Sequence, residues 1–344
     1  MKRLLLLCGL AGVIFVAGCS GSSSSSGPSA TNETGGSAPA GEKVKIGFIV
    51  KSMADSWFQG ETKFAKDKAA ELGVELIVQE AKDGSAVMTA IDSMATNGCQ
   101  GLIICSPEVQ LGPAIKAATD RHKMKLMSVD DRLVGADGKP LTEIPHLGIS
   151  AHTIGNTVGQ AMVDEMKKRG WKPEETAALA IVAPGLETAR QRVDGCNEIL
   201  LKNGFVKANM FEAPWTGAVD VAAASDAANA VLTAQSKFKK WVVCSSNDDG
   251  VIGAVRAIQN RAIPVTDIIG VGINGSLAAQ EWDKGQPSGI FASVLLQPRI
   301  HGGSTVEMMA AWVKDGKEPP KETYTSGTLI NEDNYKEEMK KEGL

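Results

Sequence analysis

Short apolar segments alternate with helical patterns along most of this chain, and the alternation limits the folds it can adopt. Segments such as 101–105 and 268–273 are apolar at nearly every position, so neither face of such a strand suits water. Strands of this kind are buried on both faces, as in parallel sheets covered by helices. Between the strands, Ile154, Val158 and Met162 recur at helical spacing. The sequence therefore predicts an α/β fold with doubly wound parallel sheets. The predicted strands lie at 44–50, 74–78, 101–105, 125–129, 147–150, 177–182, 208–212, 240–244, 268–273 and 290–296.

The N-terminus has the three regions of a secretory signal. Two basic residues precede an apolar stretch at 4–16, which is too short to span a bilayer, and small residues then lead to Cys19. This approach to Cys19 resembles a bacterial lipobox, which predicts a lipoprotein signal peptide at 1–19 with Cys19 as the acylated anchor. The alternative is an ordinary signal with an incidental cysteine. In both cases we expect export to the periplasm or cell envelope.

Composition then separates a tether from a globular part. Residues 20–42 are mainly serine, glycine, alanine and proline, so we expect a flexible tether there. Residues 43–344 are long enough for two lobes of about 150 residues each. The net charge of −4 and the pI near 5.7 argue against a nucleic-acid partner.

The globular part contains Cys99, Cys105, Cys196 and Cys244. Two disulfides are conceivable in an oxidising compartment. Free thiols are favoured, because Cys105 and Cys244 lie in or at the end of apolar strands, where cysteine behaves as a small hydrophobic residue.

Polar and aromatic side chains cluster where the strands of the first half end. Lys51, Asp55 and Trp57 follow the first strand, and Asp130 and Asp131 follow the fourth. In doubly wound sheets, ligands bind outside the carboxyl ends of the strands. An aromatic face packs against the C–H face of a sugar ring while ionised neighbours bind its hydroxyls. A sugar site is therefore indicated, although a solvated turn would explain Lys51 and Asp55 alone.

The second half offers further candidates at strand ends, each with a plainer alternative. Arg190 and Arg192 begin a helix after 177–182, where an exposed helix face would also explain them. Asn247 follows an apolar strand and could be only a helix N-cap. Asn274 ends another strand, and its amide both donates and accepts, which suits a ligand made of hydroxyls.

A glycine motif at 270–275 spells G-x-G-x-x-G, the pattern of a dinucleotide-binding turn. That function requires an acidic residue at the end of the next strand, which ends here in Leu296. The four histidines show no zinc-site spacing, and no G-x-S-x-G or Walker A motif occurs. We expect no metal, no cofactor and no enzymatic activity. A nicotinamide-dependent oxidoreductase remains as an alternative.

Several of these segments, taken in order, resemble the periplasmic L-arabinose-binding proteins of the type I periplasmic sugar-binding family. The resemblance covers the chain from Lys43 onward and is carried by 45–51, 57–59, 91–93, 129–131, 168–171, 188–190, 267–270 and 272–275. It implies two doubly wound α/β lobes joined by a three-strand hinge, with a pyranose in the cleft between them. The implied lobes are 43–149 with 297–327, and 150–296 with 328–344.

The resemblance also implies a set of ligand-binding residues. These are Lys51, Trp57, Phe58, Cys105, Asp130, Asp131, Leu186, Thr188, Arg192, Asn247 and Asn274. Positions that differ from the arabinose binders complete the predicted site, namely Asp55, Ile149, Ser246, Leu277 and Leu296. Asp55 stands in place of a glutamate, Leu277 in place of an aspartate and Leu296 in place of a proline.

The function expected from these features is that of a lipid-anchored, monomeric solute-binding protein. It would capture a monosaccharide, L-arabinose or a related pentose or deoxyhexose, and deliver it to the permease and ATPase of an ABC importer. A sugar-sensing receptor of the same fold, signalling to a membrane sensor, is the alternative. A cytoplasmic repressor of this architecture is excluded by the export signal.

The anchor can be tested directly by changing Cys19 to Ala. We expect the variant to leave the membrane for the soluble fraction, or to remain unprocessed, because the acylated residue is gone. Cell fractionation would measure this, with Cys8→Ala in the apolar stretch as the matched control. A Cys19→Ala protein as membrane-bound as its parent would contradict the lipobox interpretation.

Overall fold

Two six-stranded sheets organise the chain, as seen in a computed structural model that describes residues 43–185, 187–215 and 220–344. The predicted signal peptide with Cys19, the predicted tether and Leu186 lie outside these residues. Within them, no helix is both long and apolar enough to cross a membrane.

The first sheet is parallel throughout. Its strands are β1 (Lys45–Val50), β2 (Glu75–Glu80), β3 (Gly101–Ile104), β4 (Lys125–Asp130), β5 (His146–Ile149) and β11 (Glu322–Thr325). They lie in the order β11-β5-β4-β3-β1-β2, so the chain starts near one edge and its penultimate strand completes the other.

The second sheet repeats this plan with one antiparallel edge. Its strands are β6 (Thr176–Val182), β7 (Met210–Pro214), β8 (Lys240–Ser245), β9 (Ile268–Asn274), β10 (Ile290–Leu295) and β12 (Thr328–Asn331). They lie in the order β12-β10-β9-β8-β6-β7, and β12 runs antiparallel to β10.

Helices connect and cover the strands. They are α1 (Ser56–Glu71), α2 (Gly84–Thr96), α3 (Gly112–Arg121), α4 (Ala151–Lys168), α5 (Glu187–Lys202), α6 (Val221–Ala234), α7 (Asp248–Gln259), α8 (Ser276–Trp282), α9 (Thr305–Asp315) and α10 (Tyr335–Glu342). Side chains of Asp55, Asp83, Asp220 and Asn247 accept hydrogen bonds from the first turns of α1, α2, α6 and α7. Such N-caps satisfy backbone donors that the helix itself leaves free.

Apolar clusters lie on both faces of each sheet. In β1, Phe48 belongs to the cluster on one face and Ile49 to the cluster on the other. In β8, Trp241 and Val242 likewise belong to clusters on opposite faces of the second sheet. Burial on both faces is what the uninterrupted apolar strands predicted, and it places the polar groups of these strands at their ends.

Within the described residues, the chain passes between the two sheets three times. The passages run from β5 to α4, from β10 to a π-helical turn at Ile300–Ser304, and from β11 to β12. This arrangement confirms the predicted fold of two doubly wound α/β units joined by three crossing segments. The edge strands β11 and β12 were not predicted, because each has only four residues and includes polar ones. The strand predicted at 208–212 begins two residues later, at Met210.

The π-helical turn packs unusually close to α1. A Cβ added at Gly302 would lie 1.9 Å from the Glu61 backbone oxygen and 2.9 Å from the Ala65 nitrogen. A Cβ at the neighbouring Gly303 would meet its nearest atom, the Phe64 backbone oxygen, at 3.9 Å. The absence of a side chain at Gly302 therefore sets the distance between α1 and the turn that carries His301.

Gly302→Ala should destabilise the protein by about 2–3 kcal/mol, because two backbones cannot separate cheaply to admit a methyl group. Gly303→Ala is the matched control and should be neutral or slightly stabilising, since alanine favours helix over glycine by about 1 kcal/mol. Urea unfolding of both variants would measure the difference. Equal stability of the two variants would contradict the close-packing argument.

Candidate functional site

The first sheet brings a cation and two carboxylates together at its carboxyl edge. Lys51 follows β1 and Cys105 follows β3. Asp130 is the last residue of β4, and Asp131 comes directly after it. The ammonium of Lys51 forms a salt bridge with Asp131 Oδ2, and Cys105 Sγ lies 3.8 Å from the same oxygen. Burial alone would lower the pKa of Lys51, but the charge of Asp131, the hydrogen bond to it and the charge of Asp130 raise that pKa above its usual value. Lys51 is therefore a permanent cation in this site.

A γ-turn sends the two adjacent aspartates in different directions. Asp130 has φ +62°, and the backbone N–H of Asp131 donates to the Val129 oxygen at 2.7 Å. This i to i+2 geometry is rare and strained for a residue with a side chain. As a result, Asp131 pairs with Lys51 at the carboxyl edge of the sheet, while Asp130 is buried against other groups.

The buried Asp130 carboxylate accepts hydrogen bonds from two rings. Trp57 Nε1 donates to Oδ2 at 3.1 Å, and His301 Nδ1 lies 2.6 Å from Oδ1. His301 Nε2 lies 2.8 Å from Thr325 Oγ1. Burial alone would raise the pKa of Asp130, but the bonds from His301 and Trp57 and the charge of Lys51 lower it.

The second sheet contributes residues that reach across to the first. Thr188 Oγ1 donates to Asp131 Oδ1 at 3.0 Å, and Asn274 Nδ2 donates to Ser56 Oγ at 3.4 Å. Asn274 has φ +110°, a left-handed region where asparagine is tolerated better than most residues. Both contacts join groups from the two sheets at their carboxyl ends.

The structure separates the two candidate arginines. Arg192 Nη1 donates to the Ser246 backbone oxygen at 2.6 Å, and its Nε is buried without a partner among the described residues. Burial lowers the pKa of Arg192, and the charges of Asp131 and Asp130 offset only part of this effect. The guanidinium nevertheless stays charged, as it does in proteins generally. Arg190 instead pairs with Asp194 and Glu212 in a partly exposed network.

The apolar members of the predicted site fall into two groups. Trp57 packs against clusters of both sheets, and Ile149 packs against the second-sheet cluster that contains Leu296. Phe58 is buried in the first-sheet core. Leu277 packs against the cluster on the opposite face of the second sheet, so the structure does not group it with Trp57.

The remaining predicted residues have local roles as well. The Asp55 side chain is exposed and caps α1 by accepting from the Trp57 backbone N–H at 2.8 Å. Asn247 caps α7 by accepting a hydrogen bond from the Gly250 N–H at 3.1 Å, which agrees with the alternative interpretation of Asn247 as a helix N-cap. Ser246 is buried and presents its backbone oxygen to Arg192.

The described cysteines Cys99, Cys105, Cys196 and Cys244 are all free and buried, in agreement with the favoured interpretation. Burial raises the pKa of the Cys105 thiol well above its usual value. Cys105 therefore faces Asp131 as a neutral thiol rather than as a reactive thiolate.

Close packing explains the glycines of the G-x-G-x-x-G run. A Cβ at Gly270 would lie 2.9 Å from atoms of Val251 and Val255 in α7, and one at Gly272 would lie 2.2 Å from Asp248 Oδ1. Asp248 is buried, which raises its pKa to about 6, and Ser293 Oγ donates to it at 2.7 Å. These glycines make room for α7 and its buried acid.

Sequence reasoning missed two residues of this site, Glu61 and His301. The side chain of Glu61 is buried beside Asp130, which ends β4. Glu61 itself is a residue of α1, on the same helix face as Phe58 and Ala65. The helical spacing of these three residues was the available signal for Glu61. His301 lies in the π-helical turn, for which the sequence offered none.

Comparison with known proteins identifies relatives over most of the chain. The model of the family described as "Periplasmic binding proteins and sugar binding domain of LacI family" matches residues 43–338. The "ABC transporter L-arabinose-binding periplasmic protein" of Azospirillum brasilense is 44% identical over 87% of this chain and 90% of its own length. The "L-arabinose-binding periplasmic protein" of Escherichia coli K12 is 41% identical over 88% of this chain and 92% of its own length.

Solved structures share the fold at lower identity. The arabinose transporter binding protein of Shewanella sp. ANA-3, bound to α- and β-L-arabinofuranose, has a TM-score of 0.70 at 21% identity and covers 87% of this chain and 95% of its own. A periplasmic ribose ABC transporter structure from Conexibacter woesei has a TM-score of 0.72 at 20% identity, covering 89% and 97%. The two L-arabinose-binding relatives and the family model are named for binding, and the prediction that this chain is not an enzyme is confirmed.

Proposed function

Since the chain belongs to the family of periplasmic binding proteins and sugar-binding domains, we propose that it captures a monosaccharide between its two sheets. The observation that supports this most is the set of charged and amide groups contributed by both sheets at their carboxyl ends. Thr188 and Asp131 already join the two sides at 3.0 Å. In this fold class, that edge is where ligands bind.

The chemistry of the site suits a neutral polyol. Lys51 and Arg192 offer donors, Asp131 offers acceptors, and the Asn274 amide offers both. The two cations are matched by the carboxylates of Asp130 and Asp131, so a neutral ligand leaves the site's charge balanced. Hydrogen bonds to charged groups contribute roughly 1.5–3 kcal/mol each. Several of them are enough for a Kd near 1 μM, about −8 kcal/mol.

Trp57 supplies the apolar part of the proposed site. Its ring packs against clusters of both sheets, so it lies where the two units meet. An indole face can cover the C–H face of a pyranose, which leaves the ring hydroxyls to the polar groups around it.

We propose L-arabinose as the preferred sugar. Two relatives above 40% identity carry L-arabinose in their names, and both are covered over at least nine tenths of their length. Leu296 adds apolar surface in the cluster that Trp57 contacts. A sugar hydroxyl facing such a surface loses its water without compensation. A pentose or deoxyhexose therefore fits this wall better than a hexose with a free hydroxymethyl group there.

The proposed cycle is closure of two lobes around the sugar, followed by delivery to an ABC importer. The lobes are assigned as 43–149 with 297–327, and 150–296 with 328–344. The three crossing segments form the hinge, and the sugar stabilises the form in which groups of both lobes contact it. The protein acts as a monomer that is held at the membrane by acylated Cys19 and presented to the permease and its ATPase on the tether of residues 20–42.

Arg192→Lys should weaken L-arabinose binding at least about tenfold, or 1.4 kcal/mol, because lysine keeps the charge but loses the planar fork of donors. Arg190→Lys is the matched control, since Arg190 pairs with Asp194 and Glu212 instead. Its affinity should equal that of the parent. Calorimetric titration would measure both variants, and the reverse pattern would assign the sugar to Arg190.

Among L-arabinose, D-xylose, L-fucose and D-galactose, we expect L-arabinose to bind most tightly and D-galactose to bind more weakly than the pentoses. The physical reason is the apolar surface of Leu296. Calorimetry with each sugar would rank them. If D-galactose were the tightest ligand by more than tenfold, the argument from Leu296 would fail while sugar binding itself would stand. If none of the sugars bound, the proposed function would be wrong.

A further inference from the structure

Glu61 is a buried carboxyl group for which the described residues provide no hydrogen-bond donor. Its side chain is fully buried on α1, and neither Oε1 nor Oε2 has a partner among them. A buried ionised carboxylate without a partner is among the most costly arrangements in a protein. Either the group is neutral, or a ligand satisfies it.

The neighbours of Glu61 favour the neutral form. Carboxyl oxygens of Glu61 and Asp130 and a ring nitrogen of His301 all lie within 4.8 Å of one another. Burial is the main cause that raises the pKa of Glu61 well above its usual value, and the charge of Asp130 adds to it. The titratable groups that face Glu61 are Lys51, Cys105, Asp130, Asp131 and His301. Lys51, whose charge would favour an ionised Glu61, already pairs with Asp131.

A metal ion is a poorer solution for the same three residues. His301 Nδ1 and Asp130 Oδ1 are 2.6 Å apart, in direct hydrogen-bond contact. Two ligands of one tetrahedral zinc ion, each about 2.0–2.2 Å from it, lie more than 3 Å apart. The other nitrogen of His301 is taken by Thr325.

We propose that Glu61 is a protonated carboxylic acid that donates a hydrogen bond to Asp130, and that Glu61 and His301 are positioning residues for the Trp57 indole. Asp130 is the group through which they act. A carboxylate accepts about four hydrogen bonds. Trp57, His301 and protonated Glu61 occupy three of these sites. Asp130 therefore orients the proposed stacking surface, and Asp131 is left as the carboxylate that meets the sugar. This last step rests on the proposed function.

The proton on Glu61 is tested by the pH dependence of folding, without any sugar. A group whose pKa is higher in the folded than in the unfolded state stabilises the fold at low pH, and that stability is lost as pH rises toward the folded pKa. Relative to Glu61→Gln, the parent's folding equilibrium constant should therefore fall as pH rises from about 5, by up to about tenfold per pH unit for as long as folded Glu61 keeps its proton. Urea unfolding at each pH would measure it.

Glu165→Gln is the matched control, because Glu165 is a buried glutamate whose carboxylate accepts from Arg169 Nε at 2.7 Å. The folding stability of Glu165→Gln, plotted against pH, should run parallel to that of the parent over the same pH range. Parallel curves for Glu61→Gln and the parent would overturn the proposal. So would a parent that gains stability over Glu61→Gln as pH rises, which would mean an ionised Glu61.

A spectroscopic test covers the case in which Glu61→Gln fails to fold. The parent, labelled with isotopic glutamate and kept in a chelator, should show the infrared carbonyl band of a protonated glutamic acid at pH 7. If all glutamates appear as carboxylates, the proposal is wrong.

The positioning role is tested by rescue. Glu61→Gln retains a neutral donor and Glu61→Leu does not, so the glutamine variant should bind L-arabinose about tenfold more tightly than the leucine variant. Equal affinities would overturn the positioning role. If neither the variants nor the parent bind sugar, the proposed function fails. The stability and infrared results would still decide whether Glu61 is protonated.

Discussion

Burial of the strands on both faces is the constraint on which the rest of this structure depends. Positions such as Phe48 and Ile49 in β1 face two different apolar clusters, so a strand has no face free for polar chemistry. Polar side chains are therefore placed where the strands end. Because both sheets are almost entirely parallel, the ends meet along one edge of each sheet. The sheets that provide stability thus also decide where a ligand can bind.

At that edge, the γ-turn at Asp130 gives two adjacent carboxylates different environments. Asp131 remains partly exposed and contacts Lys51 and Thr188, which follow strands of different sheets. Asp130 is buried and contacts Trp57 and His301. One strained residue therefore links the polar contacts of Asp131 to the aromatic ring of Trp57. The strain is tolerated because hydrogen bonds on both sides hold the turn in place.

Close packing fixes the second half of this arrangement. His301 can reach Asp130 because Gly302 lets the π-helical turn approach the backbone of α1. A larger residue at Gly302 would move the ring and the helix that carries Trp57 and Glu61. In the second sheet, Gly270 and Gly272 similarly admit α7 and its buried Asp248. Glycines that resemble a nucleotide motif in the sequence are thus explained by helix packing.

The sequence by itself determined the α/β architecture, since apolar strands alternating with helical patterns have few other ways to be buried. It also placed Lys51 and Asp131 at strand ends and Trp57 in the segment that follows the first strand, because those positions depend only on local pattern. The tertiary structure decided that Arg192 turns inward and Arg190 outward, that Leu277 packs on the far face, and that the short strands β11 and β12 complete the sheets. It alone revealed Glu61 and His301 beside Asp130. The reason is that these choices depend on partners far away in the chain. Asp130 and His301, for example, are 171 positions apart, and no local pattern carries that information.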